Sequence, residues 1–122
     1  MPVKIIIVDD SPQIRKSLRE ILEKYHYEVV GEAGTGIEAI SMVKTLHPDI
    51  VMLDIIMPQL GGIETLRFLR QLDKNLKIIM VSALDSLDKV KECMKAGATH
   101  YILKPFEPEK VKEIVEKFVP QP

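Results

Sequence analysis

Only one of the 122 residues is a cysteine. Cys93 has no partner for an internal disulfide, and a zinc site would need several clustered ligands that the chain does not supply. Long apolar stretches are missing too. The longest runs without a polar residue, glycine or proline are four residues, at 5–8, 50–53 and 78–81. A transmembrane helix needs roughly 20 apolar residues and a signal-peptide core about 7–15, so neither is expected. Nor does one charge dominate: 17 Lys and Arg face 18 Asp and Glu, a formal net charge of −1. Without a basic field, binding to nucleic acid or to an anionic membrane has no electrostatic basis. Apolar residues at 46% and charged residues at 29% exclude disordered, collagen-like and coiled-coil compositions. The expectation is a cytoplasmic domain that folds without metal, its length matching the about 100–200 residues of a single domain.

What the chain does have is a set of short apolar runs that end abruptly. Rich in β-branched residues and apolar on both faces, they read as buried strands of a parallel sheet. Strands are expected at 3–8, 28–33, 49–53, 77–81 and 99–103. Between them the period changes. Ile14, Leu18, Ile21, Leu22 and Tyr25 form one helical stripe, and Val111, Ile114, Val115, Phe118 and Val119 form another. Shorter patterns predict helices over 36–46, 62–72 and 84–96, the last on a narrow Leu87, Val90, Met94 stripe. Ser11-Pro12 reads as an N-cap followed by a first-turn proline, Pro108 opens the last helix in the same way, and Gly97 stops the fourth. Met42, Met52, Met57, Met80 and Met94 read as core filler. Cys93 reads as a small helix residue, and His26, His47 and His100 as surface or turn residues.

Five strands alternating with five helices predict an α/β, doubly wound parallel sheet covered on both faces. The domain is expected to fill residues 1–119, with Pro120-Gln121-Pro122 as a short tail or the start of a connector. Right-handed crossovers bring the carboxyl ends of all strands to one edge, where ligands of such sheets sit. Four strands deliver chemistry there: the first runs into Asp9-Asp10, the third into Asp54, the fourth into Ser82 and the fifth into Lys104-Pro105. Each residue has a bland alternative. Asp9 and Asp10 could serve the first helix's dipole, Ser82 could open a capping box with Asp85, and Lys104 could be a structural counter-ion. Their convergence argues for more. Clustered carboxylates repel unless a cation joins them, and oxygen ligands of this kind suit Mg²⁺. Such an ion, an ammonium and a hydroxyl can share the oxygens of a phosphoryl group, and a carboxylate beside them can accept it as an acyl phosphate.

Asp9-Asp10, the stretch 54–62 (DIIMPQLGG), Ser82-Ala83 and the stretch 101–106 (YILKPF) resemble the receiver domain of bacterial response regulators, above all stand-alone, chemotaxis-type, CheY-like receivers. The resemblance covers the whole chain in order. It implies the flavodoxin-like strand order 2-1-3-4-5 and a phosphorylation-activated switch of a two-component system. That is a signalling role, assisted by its own site, and not turnover of an external substrate. By matching positions, Asp54 is implied as the phosphoacceptor. Asp10 and Asp54, with the backbone carbonyl of Ile56, are implied as direct Mg²⁺ ligands and Asp9 as a ligand through water. Lys104 and Ser82 are implied to hold phosphoryl oxygens, with Ala83 as the small residue beside the group. Tyr101 is implied to turn inward as Ser82 shifts, and Lys104-Pro105 to be a cis peptide. The implied partners are a sensor histidine kinase and a downstream target, the flagellar switch or another effector, read from the face of helix four, strand five and helix five. A monomer or weak dimer is expected. Ile56 and Leu84 occupy the two positions that tune loss of the phosphoryl group, and both are apolar. Gly61 departs from the family pattern, which usually has Asp or Asn there.

Other readings compete with this one. Gly34-Thr35-Gly36-Ile37-Glu38-Ala39 matches G-x-G-x-x-A between a strand and a helix, with Asp54 18 residues past Gly36, as in an NAD-binding α/β enzyme. That reading leaves Asp9, Asp10, Ser82 and Lys104 without a task, and a tight turn opening a helix explains the run equally. A serine hydrolase would need a nucleophile elbow, which no histidine here accompanies. A degenerate receiver used only for docking, or one cut from a larger regulator, completes the set.

Overall fold

A computed structural model describes residues 3–119; the tail at 120–122 lies outside them. The order is β1 (Lys4–Val8), α1 (Pro12–Lys24), β2 (Glu28–Ala33), α2 (Gly36–Leu46), β3 (Ile50–Leu53), α3 (Gly62–Leu72), β4 (Lys77–Ser82), α4 (Leu87–Lys95), β5 (His100–Leu103) and α5 (Pro108–Glu116). The five strands form one parallel sheet in the order β2-β1-β3-β4-β5. This is the doubly wound α/β sheet expected. One irregularity interrupts it, a register shift between Ile5 and Ile6 against β2.

The two-residue period of the strands divides the interior into two cores. Ile6, Val8, Val51, Leu53, Ile78 and Met80 point to one face and pack with Val43, Leu66, Leu69 and Cys93 from α2, α3 and α4. Ile5, Ile7, Ile50, Met52, Ile79 and Val81 point to the other and meet Leu18 and Leu22 of α1 and Val111, Ile114 and Val115 of α5. At about 1.5–3 kcal/mol per buried aliphatic side chain, this double burial is the main force ordering the sheet.

Local signals act largely as read. Ser11 caps α1 by accepting from the Ile14 amide with Pro12 at the first turn, and Pro108 opens α5. Gly97 ends α4 with φ of 110°. His26 and His47 are exposed and adopt left-handed turns, at φ 67° and 48°. Half-buried His100 meets Phe118 edge-on.

Several boundaries move. Val3, Asp49 and Thr99 fall just outside their strands, and β4 runs on to Ser82. The largest difference is α4, which starts at Leu87 instead of 84. Ser86 is its N-cap, accepting from the Lys89 amide. Residue 84 is kept out of the helix because its amide donates to Ser82 Oγ and its carbonyl accepts from the Tyr101 hydroxyl. The α4 stripe also turns outward: Leu87 is 66% and Met94 44% exposed, while Cys93 is fully buried. This helix connects β4 to the edge strand β5, the last in the sheet. Met94, so exposed, is not core filler, whereas Met52 and Met80 are buried and Met42 and Met57 pack against the core.

Candidate functional site

The ladder of the sheet extends one residue past each strand end and so fixes the site residues. The amide of Asp9 donates to the Ala33 carbonyl, that of Asp54 to Val8 and that of Lys104 to Ser82, all at 2.9–3.0 Å. These three backbone positions are therefore set by sheet register before any side chain is considered.

The side chains converge as expected from the sequence. Lys104 Nζ lies 2.7 Å from Asp9 Oδ2 and 3.5 Å from Asp54 Oδ2. Asp9 and Asp54 are buried, at 2% and 6% exposure, and Asp10 is exposed. Each acid offers an oxygen within 4.8 Å of the other two. Asp9 Oδ1 accepts from the Ser11 amide and Asp54 Oδ1 from the Ile55 amide. The ammonium thus pairs with two carboxyl groups of a cluster of three, a shortage of positive charge. Burial, then the charge of Asp9, pushes the Asp54 carboxyl above the usual carboxylate range, against the pull of Lys104 and the Ile55 and Ile56 amides. Hard oxygen donors with one side open to solvent fit Mg²⁺, which keeps several waters and binds few protein carboxylates.

Ser82 and Tyr101 lie beside this group. Ser82 is buried, and its Oγ accepts from the Leu84 amide at 3.3 Å. It does not cap α4, since Ser86 does. The ring of Tyr101 is half-buried against the core, and its hydroxyl donates to the Leu84 carbonyl at 2.6 Å. Burial raises the phenol's pKa, and the nearby Ser82 hydroxyl opposes that shift. Ala83 is exposed, Ile56 is 59% exposed, and Leu84 packs partly on the core. Lys104-Pro105 is cis.

Three glycines answer questions left by the sequence. A Cβ on Gly62 would lie 2.0 Å from the Asp54 carbonyl oxygen, so α3 can begin directly behind the Asp54 loop only with glycine there. Gly61 caps α3 without a side-chain bond and with ordinary extended dihedrals; Gln59, at φ 67°, makes the left-handed turn. A Cβ on Gly36 would lie 2.0 Å from Thr65 Oγ1. Gly36 therefore serves close packing of α2 against α3, and Thr35 caps α2. The G-x-G-x-x-A run is the turn that opens α2, with Thr35 as its cap and Gly36 packed against Thr65.

The chain matches the response regulator receiver domain over residues 5–116. It belongs to that family. It is 44% identical over 117 residues to the chemotaxis protein CheY of Thermotoga maritima, covering 96% of this chain and 98% of the relative. It is 35% identical to the sporulation initiation phosphotransferase F of Bacillus subtilis, over 98% of this chain and 96% of that one. Among solved structures, it resembles a chain of the CheX-CheY-BeF3-Mg complex from Borrelia burgdorferi, with TM-score 0.93, 36% identity and coverage of 98% of this chain and 92% of that one. The receiver is thus a signalling switch of a two-component system and not an enzyme turning over an external substrate. None of its helices among the described residues is long and apolar enough to cross a membrane.

Two residues of this receiver escaped the sequence reading. Arg15 donates to the Asp9 carbonyl and pairs with Glu32. Arg70 donates to the carbonyls of Gly97, Asp73, Lys74 and Leu76. Neither sits in a motif, and only folding supplies its partners.

Proposed function

We propose that Asp54 accepts a phosphoryl group from a sensor histidine kinase and that the change is read on the face of α4, β5 and α5. The observation that carries this reading is the buried Asp54 carboxylate, held at a strand end between Lys104 and two further acids. In the transfer, a carboxylate oxygen of Asp54 forms a bond to phosphorus while the donor's nitrogen–phosphorus bond breaks, and the electron pair returns to the imidazole. Lys104 Nζ and Ser82 Oγ then take phosphoryl oxygens. Asp10 and Asp54, with the Ile56 carbonyl, would hold Mg²⁺ directly, and Asp9 would act through water. When bound, the ion offsets the charge of the phosphoryl oxygens, the main electrostatic requirement of such transfers. Tyr101, tied to Leu84 in the Ser82–α4 connection, reports the state of the site to the outer face.

The partner reading is supported by apolar groups left exposed on α4 and β5. Leu87, Met94 and Leu103 are each 44% exposed or more. The match to CheY proteins favours a chemotaxis target such as the flagellar switch, and the match to a phosphotransferase favours a phosphorelay. We assign residues 1–119 to the receiver and 120–122 to a tail. Intact mass after incubation with acetyl phosphate and Mg²⁺ tests the core of the proposal. A gain of one phosphoryl group that needs Mg²⁺ and is absent in Asp54→Asn is expected; undiminished labelling of that variant would assign the acceptor elsewhere.

A further inference from the structure

Asp9 and Asp10 are adjacent, yet they are held very differently. Every polar group of Asp9 is engaged. Its amide donates to Ala33, Oδ1 accepts from the Ser11 amide, Oδ2 meets Lys104, and the carbonyl accepts from Arg15 Nη1 at 2.5 Å. Asp10 is exposed, and its side chain makes no hydrogen bond to any of the described residues. The backbone therefore supplies the only fixed constraint on it, the direction of its Cα–Cβ bond. The carbonyl that Arg15 grips belongs to the peptide joining Asp9 to Asp10, so the guanidinium fixes the plane from which Asp10 departs.

Arg15 is itself held. Its Nε donates to Glu32 Oε1 at 3.1 Å on the neighbouring strand β2, and Glu32 Oε2 is bound by Arg19 Nε at 2.6 Å. Arg19, then Arg15, keeps the Glu32 carboxyl below the usual carboxylate range, so the anchor stays charged. The Arg15 amide also donates to the Ser11 carbonyl. The loop from β1 to α1 is thereby closed by a side chain crossing from α1 back to its first residue. We propose that Arg15, anchored by Glu32, is a positioning residue that fixes the Asp9–Asp10 peptide so that Asp10 is aimed at the metal site. This rests on the reading of Asp10 and Asp54 as Mg²⁺ ligands. Groups that orient metal ligands typically change affinity by about 10–100-fold when removed.

The charge of Arg15 makes the test decisive. A cation next to a divalent site opposes the ion, so removing it should tighten Mg²⁺ binding if only long-range electrostatics matter. The brace requires the opposite sign. Calorimetric titration of Mg²⁺ into the full chain is expected to give binding about tenfold weaker for Arg15→Ala. Glu32→Gln should weaken it too, and the double variant should be no weaker than Arg15→Ala, because both changes remove one brace. Arg19→Ala, which leaves Arg15 on Asp9, should weaken it less. Circular dichroism checks that each variant is folded; Arg15→Gln, with the same loss of charge, replaces the alanine variant if that one is not. Binding in the folded Arg15 variant that is equal to or tighter than in the parent overturns the brace and leaves the metal reading intact. Absence of Mg²⁺ binding by the unaltered protein overturns both.

Discussion

Asp54 is a strained tenant of its own site. Its carboxyl titrates above the ordinary range, chiefly through burial and secondly through Asp9, so the folded state prefers the protonated form more than the unfolded chain does. The group favours folding most below the unfolded value of about 3.9, and this advantage is lost as pH rises through the raised folded pKa. At neutral pH the ionised Asp54 therefore opposes folding. Asp54→Asn should accordingly melt at a higher temperature than the parent at pH 7.5 without Mg²⁺. The difference should shrink as pH falls through the Asp54 titration, which melting curves across pH 4–7.5 will show. A second expectation concerns the life of the acyl phosphate. Neither Ile56 nor Leu84 can orient a water for in-line attack, and positioned polar or acid–base groups contribute about 10²–10⁴-fold. Ile56→Asn with Leu84→Glu should speed hydrolysis by less than that range while phosphorylation persists. Only Ile56 stands clear in solvent, whereas Leu84 also packs on the core, so Ile56→Asn alone should give part of the gain. Equal single-turnover decay rates would remove the argument.

At the level of elements, Arg70 joins what the sheet leaves apart. From α3 its guanidinium reaches the Gly97 carbonyl behind α4 and the Leu76 carbonyl ahead of β4. Its stem lies over Gly97, where a Cβ would meet Arg70 Cγ at 2.9 Å. Bonds to a charged donor are worth about 1.5–3 kcal/mol each, with some lost to solvent at this half-exposed position. Arg70→Ala should cost about 1.5–3 kcal/mol in urea unfolding. Arg70→Lys should recover less than half, because one ammonium cannot fork between carbonyls on two loops. The consequence should centre on α4, which fully buries only Cys93. A helix so lightly anchored depends on its flanking connections, the Ser82–Ser86 turn before it and Gly97 after it.

The site belongs to the whole molecule, since Lys104 and Asp9 meet across 95 residues of chain. An unfolded chain holds no such cluster, so an ion that binds it stabilises only the folded state. Mg²⁺ at about 100 times its dissociation constant should add about 2.7 kcal/mol. Melting curves with Mg²⁺ and with excess chelator should show this gain and its reversal, and Asp10→Ala should lose most of it.

Much of this architecture is present in the one-dimensional pattern. The four-residue apolar runs and the helical stripes of α1 and α5 are local signals, because strand and helix periods are properties of neighbouring residues. The placement of Asp9, Asp10, Asp54, Ser82 and Lys104 was legible for the same reason: each lies at a strand's carboxyl end or within two residues of it, and parallel strands share one edge. Tertiary structure decided what depends on two distant segments meeting. Whether Ser82 or Ser86 caps α4 turned on a hydroxyl from β5 binding the Leu84 carbonyl. Whether Leu87 and Met94 face the core turned on the packing of α4, since periodicity marks an apolar face but not what opposes it. Gly36 and Gly62 are required by backbone and side-chain approaches from other elements, and Arg15 and Arg70 find their acceptors only in the folded chain. A hydrogen bond or a steric contact is a distance in space, and sequence order constrains that distance only within a turn or a strand.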